Sequence, residues 1–304
     1  MVPESSITPC RLSARPVLGV SLHNVWVLRL DLLGGAAPGN KVFKLRHQLR
    51  RAREAGVRRI VSFGGVWSNH LHALAATGAE LGLETVGVVR GAEMETPMLA
   101  DARRWGMQLV PVSRAQYRQR HEPSWWRELE QRFGPCLVIP EGGGNAEGVL
   151  GCLDIAHMIN AAQQRFSRIL VAVGSGTTLA GMAAGLAPHN QLFGVSALKG
   201  ANDLEQRVQD ALDECALPAR CNWQILHDAH CGGFARTSID LRQFMLQFEQ
   251  VQAVPLEPVY TGKLVYAAFR RIASGEWSSG EPMLVVHSGG LQGRRGYDWL
   301  APQA

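Results

Sequence analysis

The chain holds only four lysines in 304 residues, at positions 41, 44, 199 and 263. Lys41 lies in the stretch Gly39-Asn40-Lys41-Val42-Phe43-Lys44-Leu45, just ahead of an expected helix. An amine there is a candidate for imine chemistry, provided that burial lets it reach the neutral form. An ordinary surface lysine fits the same local pattern. A second constellation is Val173-Gly174-Ser175-Gly176-Thr177-Thr178-Leu179, read as strand, glycine turn and helix. Glycines let main-chain N–H groups approach an anion, hydroxyls add donors, and a helix N-terminus adds partial positive charge. A phosphate would sit well on Ser175, Gly176, Thr177 and Thr178; a tight turn without a ligand is the alternative. No lysine follows, so this is not a Walker loop, and the glycine spacing is not that of a dinucleotide fingerprint.

A third stretch, Gly64-Gly65-Val66-Trp67-Ser68-Asn69-His70, leaves a strand and opens a helix. Ser68 or Asn69 can simply cap that helix, or Ser68, Asn69 and His70 can surround a ligand. Two weaker stretches are Glu257-Pro258-Val259-Tyr260-Thr261-Gly262-Lys263 and His287-Ser288-Gly289-Gly290-Leu291. Cys221, His227, His230 and Cys231 cluster, but their spacing matches no zinc pattern, so no metal is expected.

The elements that must position these residues alternate. Short apolar strands are expected at 59–63, 85–89, 108–112, 135–139, 168–173, 191–197, 222–226 and 283–287. Helices are expected at 98–105, 124–133 with Ser124 as N-cap, 145–164, 179–186, 237–250 and 260–274, and Leu71, Leu74 and Leu81 mark another. Near-continuous apolar strands alternating with helices mean parallel sheets covered on both faces. Ligands of such sheets bind at the carboxyl ends of the strands, where the glycine turns lie.

Composition narrows the function classes. Hydrophobic residues make up 46% and charged residues 19%, which excludes a disordered chain. The net charge of +5 rests on scattered arginines, 31 − 4 = 27 of the 31 cations, so no nucleic-acid partner is expected. The six cysteines include no CxxC pair, which points to a reducing cytoplasm and not to a disulfide framework. The apolar stretch Pro16 to Leu28 is broken by His23 and Asn24, so neither a signal peptide nor a membrane partner is expected.

Taken together and in order, the stretches GNKVFKL, VSFGGVWSNH, VIPEGGGNAEGVLG, VAVGSGTTLAG, EPVYTGK and VVHSGGLQG are similar to those of the 1-aminocyclopropane-1-carboxylate deaminase / D-cysteine desulfhydrase family. The resemblance implies an α/β fold of type II, like the tryptophan synthase β chain, with pyridoxal 5'-phosphate as cofactor. It implies a large domain of residues 1–44 plus 153–304 and a small inserted domain of residues 45–152. By the same resemblance Lys41 is the Schiff-base lysine, Asn69 bonds the pyridoxal 3-oxygen, and the 175–178 loop holds the phosphate. Ser68, Asn69, His70 and Tyr260 would meet the substrate, Thr261 would bond the pyridine nitrogen, and Lys41, Ser68 and Tyr260 would be catalytic.

Thr261 stands where the cyclopropane deaminases carry Glu, and His70 where they carry Gln, so the resemblance implies β-elimination on a small amino acid, in the manner of D-cysteine desulfhydrase, giving a 2-oxo acid and ammonia. A cyclopropane deaminase, another pyridoxal enzyme and a lapsed cofactor- or amino-acid-binding protein are the alternatives. Phe43 and Arg46 depart from the usual pattern, and Phe234 stands about where the deaminases have a second active-site Tyr. A cytoplasmic homodimer is the family precedent.

Overall fold

The computed structural model describes residues 7–91 and 94–300. Its strands form two sheets. The larger has the order β1 (Cys10–Arg11), β2 (Val25–Arg29), β10 (Met283–His287), β7 (Arg168–Val173), β8 (Gln191–Ser196), β9 (Asn222–Leu226). The smaller has the order β5 (Gln108–Val112), β4 (Glu84–Arg90), β3 (Arg59–Gly65), β6 (Cys136–Ile139). Only the β1–β2 pairing is antiparallel; the others are parallel.

Strand periodicity explains how each sheet is buried twice. Ile169, Val171 and Val173 of β7 join one apolar cluster, while Leu170 and Ala172 join another. Ile60 of β3 and its neighbours Val61 and Phe63 divide in the same way. Alternate side chains point to opposite faces, so a strand covered on both sides reads as an unbroken apolar run. Helices α1 (Asn40–Glu54), α6 (Ala146–Asn160) and α7 (Thr177–Gly185) pack in series on the larger sheet. Phe43 of α1 belongs to that sheet's core, whereas Leu45 and Leu49 belong to the smaller sheet's core.

Several expectations need correction. Lys41 lies inside the first turn of α1, not ahead of it, because Gly39 is the N-cap. The helix expected to start on Ser124 is α5 (Pro123–Phe133), with Glu122 as N-cap; Pro123 fits the first turn, where its missing N–H costs nothing. α6 stops at Asn160, short of Gln164. Several elements go unread in the sequence, β2 and α8 (Leu204–Glu214) among them. β2 falls in the stretch discounted as a leader and is an inner strand. α8 is missed although Leu204, Val208 and Leu212 recur at helical spacing and are buried.

Glycines set the closest helix contacts. A Cβ at Gly151 of α6 would lie 1.9 Å from the Phe43 carbonyl oxygen of α1, and one at Gly181 of α7 would lie 2.5 Å from the Val149 carbonyl oxygen of α6. Gly151→Ala therefore forces α1 and α6 apart, and we expect it to cost at least about 2 kcal/mol, read as a lower urea midpoint at unchanged slope. A midpoint equal to wild type would show that α1 shifts freely, and with it Lys41.

Candidate active site

The glycine turns at the carboxyl ends of β3, β6, β7 and β10 face one cleft. Main chains meet first. Gly39 bridges Gly289, and Asn40 N–H donates to the Ser288 carbonyl at 3.1 Å. Gly39 has φ +131°, and a Cβ there would lie 2.5 Å from the Ser288 oxygen; Gly289 has φ +80° and faces the Pro38 oxygen at the same distance. Only glycine gives both this backbone and this proximity. The contact fixes the start of α1, and hence Lys41, beside β10.

Lys41 is then tied to the β7–α7 loop. Its Nζ donates to Asn40 Oδ1 at 3.0 Å, and Asn40 Nδ2 donates to Thr178 Oγ1 at 3.0 Å. Burial, followed by the charge of Lys44, lowers the Lys41 pKa to about 7. A nucleophilic neutral amine is therefore available near neutral pH. One turn on, the Nζ of buried Lys44 donates to Ser175 Oγ at 3.2 Å, and Ser175 Oγ lies 2.9 Å from Thr177 Oγ1. Burial also depresses the Lys44 pKa, and among the described residues no carboxylate forms an ion pair with it. A buried cation without a counter-ion is costly, and an anion on the 175–178 loop would relieve it. Gly176 has φ +89° and caps α7, and Gly142 of the β6–α6 turn faces Ser175 from the other side. The residues present thus fit a phosphate group.

The β3–α2 loop supplies the next wall. Ser68 caps α2 (Asn69–Leu81) by accepting from Leu71 N–H at 3.2 Å. Asn69 accepts on Oδ1 from Gln292 Nε2 at 2.8 Å, across the cleft. The His70 side chain turns instead to the smaller sheet. Its Nε2 lies 2.8 Å from Ser62 Oγ, which donates to the Ile139 carbonyl at 2.7 Å, while Nδ1 has no partner. Burial and both lysine charges push its pKa down to about 3, so the ring is neutral.

The last wall is the start of α10 (Thr261–Ala273). The Tyr260 ring lies against Gly174, where a Cβ would come within 3.3 Å of it. Burial and the charges of Glu257 and Glu141 raise the Tyr260 pKa, so the phenol keeps its proton. Buried Glu257 accepts from the N–H groups of Val259, Tyr260 and Thr261 at 2.8, 2.6 and 2.6 Å. The Thr261 hydroxyl accepts from Glu257 N–H at 2.8 Å. Phe234 packs edge-on against Tyr260 at 6.2 Å between centroids. Phe43 and Arg46 point elsewhere: Phe43 is buried in the core, and Arg46 lies over its ring and pairs with Asp154 of α6.

Hydrogen bonds and close approaches thus link Lys41 through Asn40 to Thr178, Lys44 to Ser175 and Thr177, Asn69 to Gly290 and Gln292, and Tyr260 to Gly174, while the His70 ring bonds to Ser62 of β3. Asn40, Lys44, Glu257 and Gln292 stand in the quoted stretches, but the sequence reading gives them no role. A signal existed for Lys44, because residues three apart share a helix face.

A parallel α/β frame with a buried amine beside a glycine-rich anion loop defines a cofactor-dependent enzyme of the pyridoxal type. The sequence profile described as "Pyridoxal-phosphate dependent enzyme" matches residues 4–289, so the chain belongs to that family. A Thermotoga maritima protein named "Putative 1-aminocyclopropane-1-carboxylate deaminase" is 30% identical over 288 residues, covering 89% of each chain. A Klebsiella pneumoniae protein named "D-cysteine desulfhydrase" is 29% identical over 291 residues, covering 88% of this chain and 87% of its own. The solved structure titled "Crystal Structure Analysis of the ACC deaminase homologue" superposes with a TM-score of 0.79 over 98% of both chains at 24% identity, which shows the shared fold. No helix among the described residues is long and apolar enough to cross a membrane.

Two outcomes follow from the lysine pair. On the expectation that Lys41 forms the imine, loading of the apoprotein with pyridoxal phosphate should speed up by about tenfold per pH unit below the Lys41 pKa of about 7 and level off above it. A rate flat from pH 5.5 to 8.5 would refute that. Lys44→Met removes a charge-assisted partner of the phosphate and should weaken cofactor binding by about tenfold to a hundredfold, read by titration of the visible band.

Proposed function

We propose that the protein catalyses β-elimination on a small amino acid bearing a β-thiol, with D-cysteine as the substrate of choice. D-cysteine and water give pyruvate, ammonia and hydrogen sulfide, with no other reactant. When bound, pyridoxal phosphate supplies a carbonyl that forms imines with amines and a ring that draws electron density from the substrate's Cα. The chain's own residues do the rest. Lys44 and the 175–178 loop hold the phosphate. The Lys41 amine, neutral in a fair fraction near pH 7, accepts the Cα proton once it is displaced. The Ser68 hydroxyl, at the α2 N-terminus, and protonated Tyr260 would orient the carboxylate and move protons.

The observation that carries this choice is the start of α10. It carries a neutral hydroxyl, Thr261, bonded to the Glu257 main chain, while the Glu257 carboxylate has both oxygens occupied by main-chain N–H groups, so no free carboxylate stands there. A hydroxyl does not hold a positive charge on a ring nitrogen as a free carboxylate would, so the ring is the weaker electron sink. That suits a reaction in which a thiol departs as the Cα proton leaves, more than opening of a carbon ring. The named relatives include proteins of both activities. Phe43 and Arg46 lie outside the cleft, which supports an active site and not a lapsed one. The free state of all six cysteines supports a reducing compartment, and the resemblance supports a homodimer, which light scattering on the loaded protein reads directly.

The test is pyruvate and sulfide release from D-cysteine by the loaded protein, with L-cysteine and 1-aminocyclopropane-1-carboxylate in parallel. Lys41→Ala should lower turnover by about two to four orders of magnitude. Release of a keto acid from the cyclopropane substrate alone would overturn the proposal in favour of ring opening. No release from any of the three would remove the substrate class.

A further inference from the structure

The 3-10 turn Leu291–Gly296, which follows β10, touches both sheets' territory at once. On one side, Arg294 donates to the Leu256 carbonyl at 2.7 Å and pairs with Glu249 at 2.8 Å. On the other, Arg295 pairs with Asp101 of α3 (Pro97–Arg104), which also receives His72 of α2 at 3.1 Å and Arg104 at 3.2 Å. At its end, a Cβ on Gly296 would fall 2.9 Å from the Trp67 ring. The helix α3 holds the Trp67 loop as well, since Thr96 Oγ1, its cap, donates to the Val66 carbonyl at 2.7 Å. The turn and the β3–α2 loop are therefore pinned to each other from several directions.

Gln292 sits at the centre of this strap, and its Nε2 donates to Asn69 Oδ1 at 2.8 Å. A side-chain amide has one accepting end and one donating end. With Oδ1 occupied, Nδ2 is the end left to donate. It lies beside Gly290, where a Cβ would come within 3.0 Å of it, so the glycine keeps that side of the amide open. We infer that Gln292 is a positioning residue that fixes the Asn69 amide with Nδ2 presented to the bound pyridoxal ring, and that the Arg295–Asp101 pair keeps the strap where it can do so. This rests on the reading that Asn69 faces the cofactor; it does not depend on which amino acid reacts.

Cofactor affinity, not turnover, tests the inference. Apoproteins are titrated with pyridoxal phosphate and followed by the visible band, with thermal midpoints measured alongside. Gln292→Ala loses one neutral hydrogen bond and should weaken binding by about three- to tenfold. Gln292→Glu offers an acceptor in place of a donor, draws Nδ2 towards itself, and should weaken binding further. On an Asn69→Ala background, Gln292→Ala should change nothing more, because its effect runs through Asn69. Wild-type affinity in both Gln292 variants, or equal losses in the presence and absence of Asn69, would overturn the inference. So would an Asn69→Ala protein that binds the cofactor as wild type does. If D-cysteine yields no pyruvate while these affinities follow the pattern, the substrate proposal fails and the positioning role stands.

Discussion

The approach of two main chains at Gly39 and Gly289 is the constraint on which the cleft depends. Both residues have positive φ, and a Cβ on either would strike the other strand's carbonyl at 2.5 Å. The contact joins the first turn of α1 to the end of β10 and so fixes where Lys41 emerges. From there the chain of bonds runs through Asn40 to Thr178, and from Lys44 to Ser175. A lysine on a solvated loop would keep its ammonium. One anchored in the first turn of α1, three residues from buried Lys44, gives up its proton near pH 7.

The electrostatics of the cleft follow from that anchoring. Burial lowers the pKa of both amines, and the charge of Lys44 lowers that of Lys41 further. Burial, with the same two charges, keeps His70 neutral. Burial, with the charges of Glu257 and Glu141, keeps Tyr260 protonated. The cleft is thus positive on the side of the anion loop and holds uncharged proton donors and acceptors on the other. A dianionic phosphate with an uncharged reactive end matches that polarity. Loss of the phosphate leaves Lys44 as a buried cation with a hydroxyl for company, so cofactor binding and local stability are coupled through this one side chain.

Much of this was legible in the residues. Doubly buried strands announce themselves as apolar runs, and each glycine turn falls where a strand ends, so the parallel sheets and the cleft could be read off. Local structure was less secure where two rules competed. Pro123 moved a helix start that Ser124 alone would have set one residue later. β2 is interrupted upstream by His23 and Asn24, which hid a strand that long-range pairing with β10 defines. Among the site residues, those in glycine motifs were found because backbone approach leaves a compositional trace. Gln292, Glu257 and Asn40 were not, because each acts by a hydrogen bond to a residue distant in sequence or to the main chain, and a single amide or carboxylate carries no such trace. His70 shows the reverse case: motif position suggested the cleft, and the hydrogen bond to Ser62 turned the ring into the sheet.

The start of α10 shows how one short motif divides its work. Glu257 lies in the cleft wall and is buried, and desolvation alone would favour its protonated form. Burial raises its pKa overall, and three N–H groups at the helix N-terminus offset part of that rise by favouring the carboxylate. Its charge is spent on the main chain and holds Tyr260 and Thr261 at a fixed angle. The acid of this turn is therefore the one that builds the helix cap, and the buried Thr261 hydroxyl is bonded to the main chain of Glu257. Exchanging the roles of positions 257 and 261 would need more than a Glu at 261, because the new carboxylate would compete for the same N–H donors. The absence of a free carboxylate is a property of the whole turn from Glu257 to Thr261, and the proposal of elimination over ring opening rests on that turn.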